Sequence, residues 1–320
     1  MMKFYKKEIA VAVAILGLMV VLMFSAPGYF SRENLTDLFL ANAPVMIIAL
    51  GMTLVILLGE IDISVGSVFA ICGVVMGVAA RGGSPVAISG MAACVVGAAC
   101  GALNGALVAY LRVPSIVVTL ATMVALRDGL RWQTQGAWIG NLPSGFQWMG
   151  TTQSHYTVLT VGLVSLLIVL TALGLRYLRI GRAVFATGSN RAAARIVGID
   201  TQWISFFVFT LAGLLTGLAA MLNSVRFHQI PSNLGLGLEM KVIAAVAVGG
   251  AAITGGSGTV LGTVLGVILL GAIGPALTFL GVSAYWEKAI QGGIILGAVA
   301  MNVIGNHREK NAADTDPLPN

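Results

Sequence analysis

Long apolar runs separated by short polar connections constrain the fold of this chain more than any other feature. A helix that crosses the hydrocarbon core needs roughly 20 apolar residues, and a helix pairs its own backbone polar groups, as the bilayer requires. Charged residues make up 9% of the chain, whereas a soluble domain carries about 25%. We therefore predict an all-α integral membrane protein, a bundle of about ten transmembrane helices, at 8–25, 35–58, 64–80, 85–111, 114–133, 157–177, 202–225, 237–253, 259–280 and 285–305.

The first apolar run and the last residues need separate interpretations. Three lysines precede the run Ile9–Phe24, as in a signal peptide, but the run ends in Ser-Ala-Pro-Gly without the small-residue pattern of a cleavage site. We predict an uncleaved first span. Residues 1–305 then form one transmembrane domain, and the polar residues 306–320 form a disordered cytoplasmic tail.

Basic residues in the connections predict the orientation. With the N-terminus inside, eleven Lys and Arg residues fall on the cytoplasmic side and six on the other side, as the positive-inside rule expects. The long outer connection 133–155 is aromatic, and its rings would either rest at the membrane interface or receive a partner. The spans also leave open an inverted repeat of two halves, which many transporters have.

The segment Gly59–Ser67 places two carboxylates, Glu60 and Asp62, between two apolar runs with almost no loop. A charge at bilayer depth is costly, so the segment must face water, protein or a helix end. We expect Ser64 to cap the following helix and Asp62 to lie near the positive end of its dipole. Two interpretations remain open: a broken helix that lines a path or gate, and a tight capped turn at the membrane surface.

The cytoplasmic connection 179–200 carries the signals of a short helix. A polar pair precedes an alanine-rich run, so either residue of the pair would be the N-cap, and a glycine follows where the helix would stop. Two arginines four residues apart share one face. The segment is either a basic loop that only fixes topology or a helix that docks a cytoplasmic protein, and we favour docking through Ser189, Asn190, Arg191, Ala194, Arg195 and Gly198.

A glycine-rich stretch precedes the ninth span. Gly258, Gly262 and Gly266 recur every four residues, so we expect them to line one helix face that packs closely on another helix. The turn before them lacks the Lys-Ser or Lys-Thr of a P-loop, and no other segment matches one. The stretch also resembles the nucleophile motif of intramembrane proteases, but the later His307 lies beyond the last span. The sequence thus predicts a non-catalytic subunit.

In this order and spacing, the segments resemble the permeases of the ribose/xylose/arabinose class of bacterial ABC importers. The resemblance covers roughly residues 35–305. Family members usually have Gly where this chain has Glu60. The aromatic outer loop is most similar to the rhamnose and autoinducer-2 branches. The landmarks are Gly59–Ser67, Asn104-Gly105, Val113–Leu120, Gly181–Ile199, Val242–Gly262 and Gly281–Trp286.

The resemblance implies a permease of the bacterial inner membrane that translocates a monosaccharide or similar small polyol. It implies a second permease subunit, the same or a homologous chain, a cytoplasmic ABC ATPase and a periplasmic sugar-binding protein, in membrane lipid, without cofactor, metal or nucleic acid. The stretch near Asn190 would be the coupling helix. Residues that we predict to line a gate or path are Glu60, Asp62, Ser64, Asn104, Thr119 and Asn223.

Physical chemistry agrees with a neutral solute, because the spans supply hydroxyls and amides but few ionisable groups. The alternative is a self-sufficient secondary transporter or channel for small neutral solutes, which would need no ATPase. The identity of the sugar and the choice between a homodimer and a heterodimer remain open at this point.

Overall fold

The computed structural model describes residues 2–26, 28–283, 286–290, 292–293 and 296–297. It confirms the all-α fold class, and the only β pairing in these residues is an isolated bridge between Ile139 and Ile230. The helices are α1 (Met2–Ser25), α2 (Arg32–Leu57), α3 (Val65–Arg81), α4 (Val86–Ala109), α5 (Ser115–Thr134), α6 (Gln153–Tyr177), α7 (Arg179–Ser189), α8 (Arg191–Ile196), α9 (Thr201–Ser224), α10 (Leu238–Val248) and α11 (Val260–Phe279).

Among the described residues, six helices are long and apolar enough to cross a membrane: α1, α2, α4, α6, α9 and α11. The other predicted spans form helices that are shorter or less apolar. Helix α3 has 17 residues, and α5 carries charged residues in its second half. The tenth predicted span, 285–305, lies mostly outside the described residues. Within it, residues 286–290 are described and helical. The predicted tail 306–320 also lies outside them.

Helix α10 is the largest departure from the predicted spans. The apolar run predicted a span over 237–253, but α10 has only 11 residues and ends at Val248, with Gly249 as its C-cap. Gly250 follows with φ +97°, a backbone conformation that glycine adopts without steric penalty. Residues 249–259 therefore form a loop, because two glycines stop the helix before the apolar run ends.

Contacts between helix ends agree with alternating crossings. Thr259, which precedes α11, donates a hydrogen bond to Glu8 of α1. Gln202, near the start of α9, donates to the carbonyl of Ala109 at the end of α4 at 3.1 Å. The predicted topology places both contacts on the same side, and the Lys and Arg bias makes that side cytoplasmic. The bridge between Ile139 and Ile230 joins two connections on the opposite side.

Helices α4 and α9 form the most extensive helix contact in the described part of the chain. A Cβ atom added at Gly217 would lie 2.5 Å from the Ala93 oxygen and 2.8 Å from Cys94 Cα. Close backbone packing of this kind stabilises helix pairs in lipid, where no hydrophobic force acts between helices. We did not predict this glycine face, although its four-residue spacing is visible in the sequence. Its members are Gly97, Gly101, Gly105, Gly213 and Gly217.

Two of the three glycines that we did predict lie between α10 and α11. A Cβ atom at Gly262 would lie 3.0 Å from the carbonyl carbon of Gly249, and one at Gly266 would lie 2.9 Å from that of Ala245. Both distances are shorter than the 3.5–4.0 Å at which two non-bonded carbon atoms interact most favourably. The α11 backbone therefore lies directly against α10 at these positions.

Gly258 does not share this helix face, contrary to the prediction. Helix α11 begins at Val260, and Thr259 is its N-cap, with its hydroxyl oxygen accepting the Gly262 N–H at 3.0 Å. Gly258 precedes the cap in extended backbone, where a Cβ atom would lie 2.9 Å from Ala251 Cβ. The four-residue repeat in the sequence therefore extends beyond the helix that it predicted.

Candidate functional site

The connection between α2 and α3, residues 58–64, is fixed by a chain of buried polar side chains. Asp62 Oδ1 accepts the Ser64 backbone N–H at 2.9 Å and the Ser64 hydroxyl at 2.6 Å. Asn104 Nδ2 donates to Ser64 Oγ at 2.9 Å, and Thr122 Oγ1 donates to Asn104 Oδ1 at 2.7 Å. Burial raises the pKa of Asp62, and the two bonds from Ser64 oppose that rise. The chain attaches the connection to α4 and α5.

The predicted capping role of Ser64 was wrong. Ser64 does occupy the N-cap position of α3, but its side chain makes no cap bond. Its hydroxyl donates to Asp62 instead, and Asp62 also accepts the Ser64 N–H. Because the donating hydroxyl is directed to the carboxylate, it is Asp62 that takes up a backbone donor where the helix begins.

Thr119 joins the same group of residues. Its hydroxyl donates to the Ser115 carbonyl at 2.8 Å and lies 3.3 Å from the Ile61 carbonyl. The Ile61 N–H donates to Ser115 Oγ at 3.2 Å. The structure therefore brings together four of the six residues predicted to line a path or gate, namely Asp62, Ser64, Asn104 and Thr119.

Glu60 pairs with the cytoplasmic connection. Arg191 Nη2 lies 2.7 Å from Glu60 Oε1 and 3.2 Å from Ser205 Oγ of α9. The Glu60 side chain is 14% exposed and the Arg191 side chain 35% exposed. A charge-assisted bond of this length belongs to the strong class of hydrogen bonds. Glu60 is thus paired with an arginine of the predicted docking segment.

The cytoplasmic connection folds as two helices, α7 and α8. Asn190 separates them, with φ −158°, and its Oδ1 accepts the Ala193 N–H at 3.0 Å. Gly198 follows α8 with φ +83°, as expected of a glycine that stops a helix. Of the two predicted N-cap residues, the structure therefore uses Asn190, and Ser189 is instead the last residue of α7.

We did not predict helix α7 from the sequence. Its buried residues Gly181, Val184 and Thr187 recur every three residues, which is the spacing of one helix face. The stretch is short and contains Thr and two glycines, so its intrinsic helix propensity is low. Packing against the bundle compensates for that low propensity.

The end of α7 lies against two other elements on the side that we predict to be cytoplasmic. The Gly256 N–H donates to the Leu57 carbonyl at 2.9 Å, which joins the end of α2 to the loop 249–259. A Cβ atom at Gly188 would lie 2.8 Å from both the Leu57 carbonyl carbon and the Gly256 nitrogen. A Cβ atom at Gly256 would lie 2.8 Å from Ser189 Cα. Backbone therefore meets backbone where these three elements converge.

The free surface of α8 is less basic and more apolar than the sequence suggested. Arg195 Nε donates to Thr201 Oγ1 at 2.8 Å, and Arg191 is directed to Glu60, so both arginines have partners within the chain. Ala194 is buried. Ile196 and Val197 are 86% and 75% exposed. Two adjacent apolar side chains are therefore exposed at the end of α8.

A cleft of about 930 Å³ lies between α2, the end of α9 and the start of α10. Asn223 and Lys241 line it, so Asn223 is separated from the other predicted path residues. Pro44 also lines it, and as a proline it cannot donate to the Leu40 carbonyl one turn earlier. Arg226 Nη1 donates to that carbonyl at 2.8 Å instead.

The segment Gly235–Leu238 forms one wall of the cleft and touches the start of α3. A Cβ atom at Gly235 would lie 2.5 Å from the Gly66 oxygen. Next to this contact, Glu239 Oε2 lies 3.9 Å from Arg127 Nη2, and both side chains are largely buried. Gly66, six residues after Glu60, therefore contacts the wall of the cleft.

The aromatic outer loop is anchored to the bundle. Phe146 is buried, and the Trp148 ring centroid lies 5.2 Å from that of Tyr156. The backbone N–H of Trp148 donates to the Val225 carbonyl at 2.7 Å. Trp138 is exposed. Within the described residues, no group of three or more His, Cys, Asp or Glu side chains has the arrangement of a metal site.

Comparison with known proteins gives a consistent group of relatives. Residues 34–299 match the family model described as "Branched-chain amino acid transport system / permease component". The chain is 37% identical over 297 residues to the autoinducer 2 import system permease protein LsrC of Yersinia enterocolitica, which covers 92% of this chain and 82% of the relative. No solved structure matches the chain.

Two further relatives carry the same name. The protein from Yersinia pseudotuberculosis serotype O:1b is 36% identical over 305 residues, covering 94% of this chain and 87% of the relative. The protein from Yersinia pestis strain Pestoides F is 35% identical over 305 residues, with the same coverage of both chains.

Proposed function

This chain belongs to the permease family of bacterial ABC importers, and we propose that it carries autoinducer 2 or a similar small sugar-like solute inward as one of two permease subunits. Membership confirms the resemblance predicted from the sequence and identifies a multi-pass protein of the inner membrane. The observation that carries the proposed solute is identity of 35–37% over more than nine-tenths of the chain to permeases named for autoinducer 2 import.

The proposed solute path is the 930 Å³ cleft beside α10. Its volume lies within the range of about 300–1,000 Å³ that small-molecule sites occupy. Ser283, Glu287 and Lys288 line the cleft among apolar residues and glycines, and Asn223 and Lys241 add an amide and an ammonium. Hydroxyl groups of a polyol can pair with both kinds of side chain, because the amide donates and accepts and the ammonium donates.

The proposed partners are a cytoplasmic ABC ATPase, a periplasmic binding protein and a second permease. The surface proposed for the ATPase is α8, with Ile196 and Val197 at its exposed end. The Gly188 contact with Leu57 and Gly256 supports this assignment, because a docking element must be packed firmly on the spans to transmit force. A loop needed only for topology would not require such packing.

Uptake by cells tests the proposed solute. A strain lacking this permease should leave autoinducer 2 in the medium, and the restored gene should remove it. Leucine uptake is measured in parallel because the family description names branched-chain amino acids. Restored leucine uptake with unchanged autoinducer 2 would overturn the proposed solute.

Co-purification tests the docking surface. Ile196→Asp together with Val197→Asp should release the ATPase from the tagged permease, since two charges would replace exposed apolar contacts. Trp138→Asp is the matched control, because Trp138 is an exposed apolar side chain on the predicted outer side. Equal ATPase recovery from the unchanged permease, the double variant and Trp138→Asp would refute the assignment of α8 as the docking surface.

A further inference from the structure

We propose that the Glu60–Arg191 ion pair is the positioning contact through which movement of α8 reaches the wall of the transport cleft. The inference rests on the proposed function and adds two named residues that transmit the movement. Neither residue touches the solute in this role. Each acts by holding the connection 58–64 to the cytoplasmic helix.

The first argument is the position of Arg191. It is the first residue of α8, and its Nη2 is shared between Glu60 Oε1 at 2.7 Å and Ser205 Oγ at 3.2 Å. A displacement of α8 therefore moves a guanidinium that is bonded to the α2–α3 connection and to α9. Arg195, one turn later, bonds to Thr201 at the start of α9 and to no described residue of the α2–α3 connection, so it cannot serve the same purpose.

The second argument is what lies beyond Glu60. The connection continues through Asp62, which accepts the Ser64 N–H, and through Ser64, whose Oγ accepts from Asn104 of α4, and it reaches Gly66. The Gly66 oxygen lies against Gly235 in the wall of the cleft. A shift of Glu60 is thus passed along a short, internally bonded segment to residues that line the cleft.

The third argument separates the ion pair from the neighbouring packing contacts. Gly188 lies against Leu57 by van der Waals contact, which resists compression strongly but gives little attraction when the surfaces separate. A charge-assisted bond between a largely buried carboxylate and a partly exposed guanidinium also resists separation. Import requires the cleft to open and to close, so the contact must transmit movement in both directions, and the ion pair can do so.

The experiment follows the cleft directly. The complex is isolated through a tag on this chain, and Leu236→Cys, an exposed position in the cleft wall, is labelled with a maleimide with and without ATP and vanadate. In the otherwise unchanged complex the nucleotide should alter the labelling rate. Glu60→Gln should reduce that nucleotide effect by roughly tenfold, as for the loss of one charge-assisted bond, while the ATPase stays bound and active. Arg191→Gln should reduce the nucleotide effect by the same factor.

Two further variants keep the test independent of folding defects. The double variant Glu60→Gln with Arg191→Gln should be no worse than either single variant, because both remove the same contact. The exchanged pair Glu60→Arg with Arg191→Glu should recover most of the nucleotide effect. Arg176→Gln, which removes an arginine at the end of α6 outside the predicted docking segment, is the matched control and should retain it. The proposal is overturned if the nucleotide effect is undiminished in both single variants. It is also overturned if the reduction in the double variant equals the product of the two single reductions.

The outcome for the unchanged complex separates this inference from the proposed function. If nucleotide alters labelling there but the two single variants behave like it, the ion pair has no positioning role and the ATP-driven function stands. If nucleotide has no effect on the unchanged complex, the ATP-driven function fails and the inference fails with it.

Discussion

Substitution of Gly217 by alanine should weaken the contact between α4 and α9 by an amount that the structure allows us to bound. The added Cβ would lie 2.5 Å from the Ala93 oxygen and 2.8 Å from Cys94 Cα. Both neighbours are backbone atoms and cannot rotate away. Carbon atoms prefer about 3.5–4.0 Å, so the two helices must separate by roughly 0.7 Å or more locally.

The free-energy effect is best taken as a difference from a matched control. Gly162 on α6 and Gly129 on α5 have nothing within 4 Å of an added Cβ. Alanine at these positions gains the same intrinsic helix preference as alanine at Gly217, about 1 kcal/mol over glycine. The difference between Gly217→Ala and the controls then isolates overpacking, which typically destabilises by about 1–3 kcal/mol.

The assay is thermal unfolding of the purified complex in one detergent, followed by loss of monodisperse protein. We expect the midpoint for Gly217→Ala to fall below both controls, because its added Cβ meets the α4 backbone. Gly217→Val should fall further because it adds two more carbon atoms at the same place. Equal midpoints for Gly217→Ala, Gly162→Ala and Gly129→Ala would refute the packing argument.

Three other predictions follow from the same description. Reporter fusions at Gly136 and Gly188 should report opposite sides of the membrane, with Gly188 cytoplasmic, and identical reports would contradict the predicted topology. The purified chain without partners should hydrolyse no ATP, since it contains no P-loop, and sustained hydrolysis by a preparation free of other ATPases would contradict the permease function. Gly262→Leu should lower the thermal midpoint more than Gly162→Leu, because Gly262 lies against the backbone of Gly249, the C-cap of α10, whereas Gly162 is open, and equal midpoints would exclude a packing role.

The positions of the helices were largely predictable, because hydrophobic length alone specifies a span in a bilayer. Where prediction failed, backbone or packing effects outweighed hydropathy. Glycines end α10 inside an apolar run, and α7 forms although its composition favours helix only weakly. The α4–α9 face was missed for another reason: its pattern is in the sequence, but only the structure shows which glycines meet a partner.

The candidate site was predictable in part. The local motif identified Asp62 and Ser64, while Asn104 and Thr119 came from the family resemblance. The sequence could not show that Asn104 donates to Ser64, 40 positions away, because such contacts depend on how the helices are arranged. The same limit applies to Glu60, whose partner lies 131 positions away. The roles of these residues remain predictions.

Glu60 and Arg191 should differ in how well each tolerates loss of its partner. The Glu60 side chain is 14% exposed, so in Arg191→Gln a largely buried carboxylate would lose its charged partner, an unfavourable state. Arg191 is 35% exposed and also contacts Ser205, so in Glu60→Gln the guanidinium retains a partner and can reach water. We therefore expect Arg191→Gln to lower the thermal midpoint of the complex more than Glu60→Gln. The reverse order would mean that Glu60 reaches water in the assembled complex and that burial of the carboxylate does not control the pair.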